Sequence, residues 1–368
     1  MAEPPDIVTA TRRYEGWVST RVPLIKKDLS AKHAAMRAGV FPFLRATFYR
    51  WAERWRDVVG EAARGPRVVA VGDLHVDNFG TWRDVEGRLI WGVNDFDETW
   101  RLPYSNDLIR LATSAMLAVD SRELEVAPKR GAALILGGYR AALAHGGRAF
   151  VFAERHNAMR RMAAHRLHDP QAYWQKLDAL PSVRPPADVV AALERALPER
   201  GLAPRFVHRL AGVGSLGRQR FLALAEWRGG RVAREAKALQ PSACALIDRA
   251  SETKIAQAGA LRRRVWMTSH SPGARCPDPY VSFDGLWLIR RLAPDCSRIP
   301  LNLLPKQRDA ERLLHAMGWE AANVHVGSAR AAVLEADLRR RPKRWLYEAA
   351  MQMAEDVERD WREWVRRG

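Results

Sequence analysis

Two short apolar runs near the start of the chain predict a buried strand, a polar loop and a hairpin. Val68, Val69 and Val71 form a β-branched run that is typical of a buried strand. A second apolar run at 88–93 follows a turn-like segment at 83–87 and is expected to be the returning strand. The hairpin should therefore bring the residues after it back to the loop that follows the first strand.

Amphipathic spacing elsewhere predicts helical sections at both ends of the chain and a strand-rich section between them. Helices are expected near 25–37, 41–63, 106–118, 122–144, 148–165 and 187–197, and again from 305 to a last helix at 345–367. Strands are expected to dominate 205–292, with a helix at 242–259 and a Pro- and Gly-rich loop at 269–279. This pattern predicts an α+β fold.

The same pattern predicts two lobes. Residues 1–180 would form a helical lobe that carries the loops of the first hairpin, and residues 205–300 would form a strand-rich lobe. Residues 301–368 would add C-terminal helices that complete the helical lobe. The proline-rich span 180–204 is the expected boundary. A chain of 368 residues with 47% hydrophobic residues is long enough to bury a core in each lobe.

Acidic and amide side chains follow both strands of this first region. Asp73 comes directly after the glycine that ends the first strand, and Asn78 lies five residues later. Phosphoryl transfer requires a carboxylate that orients the attacking hydroxyl and accepts its proton, together with oxygen ligands for magnesium. We therefore predict that Asp73 is the base and that Asn78 and Asp95 bind Mg²⁺. Asp97 is a further ligand if the hairpin strand persists that far.

Each of these acids taken alone could instead cap a turn, which Asp and Asn often do. Their spacing within a strand, a loop and a hairpin favours the phosphotransferase interpretation for the set. His75 in the same loop is expected to support the loop by hydrogen bonding and not to bind a metal. Asp107, in the next predicted helix, is expected to anchor the catalytic loop from behind.

A glycine-rich segment lies far downstream. Gly212, Gly214 and Gly217 permit a close approach of backbone N–H groups to phosphate oxygens, and Ser215 adds a hydroxyl donor. A dinucleotide-binding fold would need a helix after the glycines. Instead a strand, a Gly-Gly turn and a second strand carrying Lys237 follow, which is typical of a kinase nucleotide lobe. We predict that the loop and the lysine bind the phosphates of a nucleotide.

The partner acid of Lys237 is harder to place, and we select Glu252 on the predicted helix at 242–259. An edge-strand lysine without a function is the alternative for Lys237. The glycine loop and the lysine follow Asp73 by more than a hundred residues, whereas they precede the catalytic aspartate in ordinary kinases. A circular permutation would explain this order, since new ends are tolerated at exposed loops.

Sequence blocks spread over nearly the whole chain match one known pattern. They are Phe43-Leu-Arg45, Gly72-Asp-Leu-His-Val-Asp-Asn-Phe-Gly80, Asn94-Asp-Phe-Asp-Glu98, Pro103, Asp107-Leu-Ile-Arg-Leu111, Gly212-Val-Gly-Ser-Leu-Gly217, Lys237 with Pro241-Ser242, and Ile289-Arg-Arg-Leu-Ala-Pro294. With these blocks the chain resembles the bacterial family called domain of unknown function 2252, whose members are grouped with protein-kinase-like folds. The resemblance implies a two-lobed, circularly permuted kinase-like fold. The aspartate blocks are also similar to those of aminoglycoside and choline kinases, which implies that Asp73 is the base and Asp95 the metal ligand.

The chain departs from these patterns at three places. Ala238 and Leu239 follow the lysine where the family usually has Glu-Ala. Val71 precedes the Gly-Asp pair where small-molecule kinases commonly have His. Arg290-Arg-Leu292 stands where some family members have Arg-Glu-Leu. None of these changes removes the predicted base or the predicted metal ligands.

Composition narrows the expected partners and location. The formal net charge of +18 would attract nucleic acid or phosphorylated ligands, but the positive residues are spread along the chain without a nucleic-acid-binding module. Nucleic acid is therefore a less favoured partner than a nucleotide and a hydroxyl-bearing substrate. The three cysteines are widely spaced, no run of about 18 apolar residues occurs, and the N-terminus lacks a signal pattern. We expect a cytoplasmic protein without a membrane partner.

The leading hypothesis is ATP- and magnesium-dependent transfer of a phosphoryl group to a hydroxyl of an unidentified acceptor. Transfer of AMP is a second enzymatic hypothesis, and a nucleotide-binding pseudokinase that acts by interaction is a non-enzymatic one. A metallophosphoesterase ranks low because the later Asn-His-Glu-type ligands of that class are missing.

Overall fold

The computed structural model of the protein describes residues 5–121, 124–152, 156, 157, 159–161, 163, 170–267, 270–296 and 307–368. Its helices and antiparallel sheets confirm the predicted α+β class. Part of the helix predicted at 148–165 and the beginning of the helical section predicted from 305 lie outside the described residues.

Helices occupy most of the two chain ends. They are α1 (Ile7–Ser19), α2 (Lys26–Ala38), α3 (Val40–Ala46), α4 (Phe48–Val59), α5 (Ser105–Asp120), α6 (Pro128–Ala144), α7 (Pro170–Asp178), α8 (Ala187–Ala196), α9 (Ala243–Ile247), α10 (Glu252–Trp266), α11 (Gln307–His325), α12 (Ala331–Arg340) and α13 (Trp345–Arg367). Within the described ranges, no helix has the length and apolar character needed to cross a bilayer.

The strands form three antiparallel sheets in the described part of the chain. They are β1 (Arg67–Ala70), β2 (Phe79–Arg83), β3 (Leu89–Val93), β4 (Trp100–Pro103), β5 (Phe150–Val151), β6 (Arg205–His208), β7 (Arg220–Trp227), β8 (Gly230–Ala238), β9 (Ser282–Asp284) and β10 (Trp287–Leu292). Strand β1 pairs with β4, and β3 lies between β2 and β5. The largest sheet has the order β6-β7-β8-β10-β9. In this sheet Arg220 lies opposite Lys237 and Arg290 lies opposite Glu235, so the four side chains share one face.

The largest core is built by both ends of the chain. Its buried side chains come from the N-terminal helices, from β1 to β4 and from α11 to α13. Two smaller cores cover the faces of the five-stranded sheet, one beneath α8 with Val189 and Leu193, the other beside α7 with Leu177. The N-terminal and C-terminal sections therefore share one core, while the lobe boundaries at 180, 205 and 300 stay a prediction.

Two glycines allow α6 and α11 to pack in direct backbone contact. A Cβ on Gly138 would lie 1.8 Å from the backbone oxygen of His315, and a Cβ on Gly318 would lie 1.9 Å from that of Ile135. Neither distance leaves room for a side chain. Glycine inside a helix costs about 0.5–1 kcal/mol relative to alanine. At Gly138 and Gly318 the close packing of α6 against α11 offsets this cost.

Some predicted element boundaries are wrong. The helix predicted at 41–63 is interrupted at Thr47, whose hydroxyl donates to the carbonyl of Phe43 at 2.7 Å, and the chain restarts as α4. The helix predicted at 242–259 is two helices, α9 and α10. Phe150–Val151, inside the helix predicted at 148–165, is a strand that pairs with β3. Side-chain periodicity does not detect these changes, because local capping and tertiary pairing cause them.

Candidate active site

The loop after β1 is held by a buried acid on α5. Asp107 accepts hydrogen bonds from the backbone N–H groups of Val71 at 2.7 Å and Gly72 at 3.0 Å. His325 Nε2 donates to the same carboxylate at 3.0 Å, and His325 Nδ1 lies 2.9 Å from the hydroxyl of Tyr139. Buried hydrogen bonds to a charged acceptor are strong. The network therefore anchors the loop from behind, as predicted for Asp107.

Asp73 in this loop is paired with Arg110, one turn after Asp107 on α5. Arg110 Nε donates to Asp73 Oδ1 at 2.7 Å, and Arg110 Nη2 donates to the same oxygen. Nη2 also donates to the carbonyl of Leu44 at 2.9 Å, and the buried guanidinium lies over the ring of Trp51. Because both contacts fall on Oδ1, they orient the carboxylate and direct Oδ2 away from Arg110.

The pKa of Asp73 is unusual for a carboxyl group. Burial raises the pKa to about 7, Arg110 opposes this increase, and the nearby charges of Glu98 and Asp95 add to it. A group that titrates near neutral pH is suited to accept and release a proton during turnover. These properties are compatible with the base role of Asp73, which stays a prediction.

A short 3-10 turn places Asn78 next to Asp73. Asn78 Nδ2 donates to the backbone carbonyl of Asp73. In the same turn His75 Nδ1 accepts from the backbone N–H of Asp77 at 3.2 Å, and Asp77 pairs with Arg45 at 2.8 Å. His75 thus has the supporting contact that was predicted for it.

The second acidic block contacts Lys237 on the five-stranded sheet. Strand β3 ends at Val93, so Asp95 and Asp97 lie in a loop and not on an extension of the strand. Lys237 Nζ lies 3.2 Å from Asp95 and 2.6 Å from Asp97, and Arg218 lies 3.0 Å from Asp97. Although burial opposes ionisation, the two cations hold the pKa of Asp97 well below its ordinary range. Segments 142 residues apart in sequence therefore meet in one ion cluster.

The prediction that Glu252 pairs with Lys237 is wrong. Glu252 lies in the first turn of α10 with 78% of its side chain exposed, and it pairs with Arg21 at 3.0 Å. Asp97 and Asp95 are the acids that contact Lys237. Sequence spacing does not determine whether a side chain in the first turn of a helix faces the protein interior or the solvent. Here the side chain of Glu252 faces the solvent.

The glycine loop lies over Asp73. A Cβ on Gly214 would lie 2.7 Å from the backbone oxygen of Arg45 and 3.7 Å from Asp73 Oδ2. Gly217 has a φ of +96°, and a Cβ there would lie 2.5 Å from Leu29. Both positions require glycine, one because of close approach and the other because of its backbone conformation as well. The loop therefore lies next to the predicted base, close enough for a Cβ on Gly214 to be in van der Waals contact with Asp73.

Ser215 and Gly212 close this loop on itself. Ser215 Oγ donates to the carbonyl of Gly212 at 3.0 Å and accepts from Arg220 Nη2 at 2.7 Å. The hydroxyl is therefore used inside the loop, and the predicted donation to a phosphate oxygen would require this internal bond to break. Gly212 adopts a φ of +73°, which glycine reaches without strain.

The predicted site residues other than Gly217 and Lys237 line one cleft of about 1130 Å³. Asp73, Asn78, Asp95 and Asp97 line it together with Gly212, Gly214 and Ser215 of the glycine loop, and the buried Lys237 contacts Asp95 without belonging to the lining. Among the described residues, no three His, Cys, Asp or Glu side chains are grouped to hold a metal ion. Mg²⁺ often takes only one or two carboxylates and completes its shell with water and phosphate oxygens. Asp95, whose side chain is 42% exposed, and the amide oxygen of Asn78 fit that requirement.

The sequence matches the family described as an uncharacterized protein conserved in bacteria, domain of unknown function 2252, over residues 24–176 and 199–367. The chain belongs to this family. The first matched segment contains Asp73, Asn78, Asp95 and Asp97. The second matched segment contains the glycine loop and Lys237. No curated protein and no solved structure matches the chain.

Several residues of the site in this family member were not predicted. Arg110 is three residues after Asp107 and shares its helix face, so helical spacing could have indicated it. Arg218 follows the glycine loop directly, but no spacing rule connects it with Asp97. Glu235 is fully buried and contacts three arginines, a contact set that the sequence does not reveal.

Proposed function

We propose that the chain is an ATP- and magnesium-dependent phosphotransferase that acts on a hydroxyl acceptor. The observation that carries this proposal is the convergence of two distant segments in one cleft. Gly214 stands over Asp73, and Lys237 contacts Asp95 and Asp97 at 3.2 and 2.6 Å. A base, oxygen ligands, a phosphate-binding loop and a cation are the parts that phosphoryl transfer needs.

In the proposed reaction, the acceptor oxygen forms a bond to the γ-phosphorus, and the bond from this phosphorus to the β–γ bridging oxygen breaks. ADP leaves with the bridging oxygen, and the hydroxyl proton passes to Asp73 Oδ2. Arg110 holds the other oxygen of Asp73, so the accepting oxygen keeps its direction. Asn78 and Asp95 would hold magnesium, which neutralises charge on the phosphate oxygens.

The strand-rich part of the chain supports nucleotide binding. Strand β6, the glycine loop, β7, a turn and β8 with Lys237 follow one another, as in the nucleotide lobe of a kinase. As part of the same proposal, we assign the chain to a kinase-like fold whose order is circularly permuted. The shared core of the N-terminal and C-terminal sections supports this assignment, because a permuted chain must build one lobe from both ends.

The first test compares two variants of the site with a matched surface control. Asp73→Asn should retain binding of Mg-ATP and lose transfer, whereas Asp95→Asn should weaken binding of Mg-ATP. Asp57→Asn makes the same chemical change at an exposed position of α4 and should resemble the wild type. Isothermal titration calorimetry gives binding, and release of ADP in the presence of pooled hydroxyl compounds gives turnover. Equal ADP release by the wild type and both site variants would reject the assignments.

Mass spectrometry of the products separates the alternatives, because transfer of AMP releases pyrophosphate and not ADP. A product heavier by AMP instead of a phosphoryl group would identify nucleotidyl transfer. Binding of Mg-ATP without turnover across varied acceptors would identify a nucleotide-sensing pseudokinase. One observation favours the pseudokinase. Lys237 and Arg218 together already neutralise Asp97, so the ammonium group of Lys237 is paired before a nucleotide binds.

A further inference from the structure

A buried acid on β8 gathers three arginines at the wall of the cleft. Glu235 lies two residues before Lys237 and on the same face of the strand, and its side chain is completely buried. Arg209 Nη1 contacts Glu235 at 2.6 Å, Arg290 Nε contacts it at 2.7 Å, and Arg220 Nη1 contacts both of its oxygens at 3.2 Å. We call these four residues the arginine cluster.

The charges of the arginine cluster do not balance. Three guanidinium groups surround one carboxylate, which leaves two surplus positive charges. Despite its burial, Glu235 has a pKa well below its ordinary value, because Arg220, Arg290 and Arg209 favour the ionised form. The nearby acids Asp95 and Asp97 are already engaged by Lys237 and Arg218. Glu235 therefore does not neutralise the cluster.

The surplus charge faces the cleft. Arg209 and Arg290 have 28% and 22% of their side chains exposed, whereas Arg220 and Glu235 are buried. All three arginines line the same cleft as Asp73. Arg220 also donates to the hydroxyl of Ser215, which connects the cluster with the base of the glycine loop.

A purely structural ion cluster accounts poorly for this arrangement. Desolvated charges are costly unless they are paired, so a cluster that only stabilised the sheet would be expected to contain equal numbers of both signs. A ligand with a dianionic group would supply the missing charge. Guanidinium groups also match phosphate oxygens in geometry, with parallel N–H donors.

We propose that Arg209, Arg220 and Arg290 form an anion subsite that binds a phosphate group of the ligand in the cleft. The subsite is centred on Glu235, about 7 Å along β8 from Lys237, and Arg220, which lies opposite Lys237, connects the two positions. The inference deepens the proposed function and rests on it only for the identity of the ligand. The phosphate belongs either to the nucleotide or to a phosphorylated acceptor.

The decisive experiment measures binding of inorganic phosphate to the full chain by calorimetry at low ionic strength. Arg290→Gln should weaken binding about tenfold or more, because charge-assisted hydrogen bonds are lost. Glu235→Gln should have the opposite effect and tighten binding, because it removes the carboxylate that competes with phosphate for the three arginines. Arg231→Gln is the matched control, since Arg231 lies on the same face of β8 but pairs with Asp178 outside the cleft.

Opposite changes in the two cluster variants cannot result from a general loss of folding. Equal phosphate affinity in the wild type and both variants, or no phosphate binding by the wild type, would overturn the subsite. Repeating the titration with Mg-ATP identifies the source of the group. Weakening of Mg-ATP by the same factor in Arg290→Gln assigns the phosphate to the nucleotide, whereas unchanged Mg-ATP affinity assigns it to the acceptor. Phosphate binding without any Mg-ATP binding would reject the proposed function and leave the subsite in place.

Discussion

Arg110 is expected to set the pH range in which Asp73 can accept a proton. Its guanidinium is completely buried and contacts Asp73 Oδ1 through two nitrogens, one of them at 2.7 Å. Replacement of Arg110 by Gln removes the positive charge and leaves an amide of similar polarity. The ionised form of Asp73 then loses its stabilising partner, so its pKa must rise.

The size of this change follows from the geometry of the pair. Two opposite charges about 4 Å apart interact by about 4 kcal/mol at an effective dielectric constant of about 20. One pKa unit corresponds to about 1.36 kcal/mol, so the pair accounts for up to about 3 units. Relaxation of the site reduces the effect, and we expect the pKa of Asp73 to rise by about 1 to 3 units. The starting pKa is about 7, so most of Asp73 would be protonated at neutral pH in the variant.

Two measurements check this expectation. The acid limb of the pH profile of kcat/KM for ADP release should move to higher pH by the same amount in Arg110→Gln. Carbon-13 NMR of the Asp73 carboxyl, assigned with Asp73→Asn, reports the pKa without turnover. Arg110→Lys is the matched control, because it keeps the charge and should move the pKa less. An unchanged or lowered pKa of Asp73 in Arg110→Gln would refute the electrostatic argument.

Three further predictions concern the loop anchor, the helix contact and the metal. Asp107→Asn should lower the free energy of unfolding, measured by urea titration, by about 3–5 kcal/mol, because buried hydrogen bonds to a charged group are weakened. An unchanged free energy of unfolding would refute the anchoring role of Asp107. Gly138→Ala should destabilise the protein, because its Cβ would lie 1.8 Å from a backbone oxygen, whereas Gly16→Ala in open space on α1 should stabilise it by about 0.5–1 kcal/mol. Removal of magnesium with a chelator should abolish the increase in melting temperature caused by ATP, an increase equivalent to about 2.7 kcal/mol at one hundred times Kd. Stabilisation by ATP that is independent of magnesium would contradict the metal assignment.

The candidate site could be located from the sequence because its residues carry strong local signals. Asp73 follows a glycine at the end of a β-branched strand, and Gly214 lies in a loop between two strands, so each position is marked by its neighbours. The bracing role of Asp107 was predictable for the same reason, since this residue lies in the first turn of a helix that follows the hairpin region. Helix boundaries were less predictable where a hydroxyl such as that of Thr47 competes with the helical backbone.

The sequence by itself determined the α+β class, the strand and loop positions of the acidic blocks, and the membership of a family that spans most of the chain. Tertiary structure alone decided which charges meet. Lys237 contacts Asp97 and not Glu252, and Arg110 orients Asp73. Glu235 contacts arginines that lie on, or directly after, three different strands. The physical reason is that local structure depends on neighbours within a few residues, whereas an ion pair depends on how whole helices and sheets pack. That packing is set by the sum of many weak apolar contacts, which no single motif records.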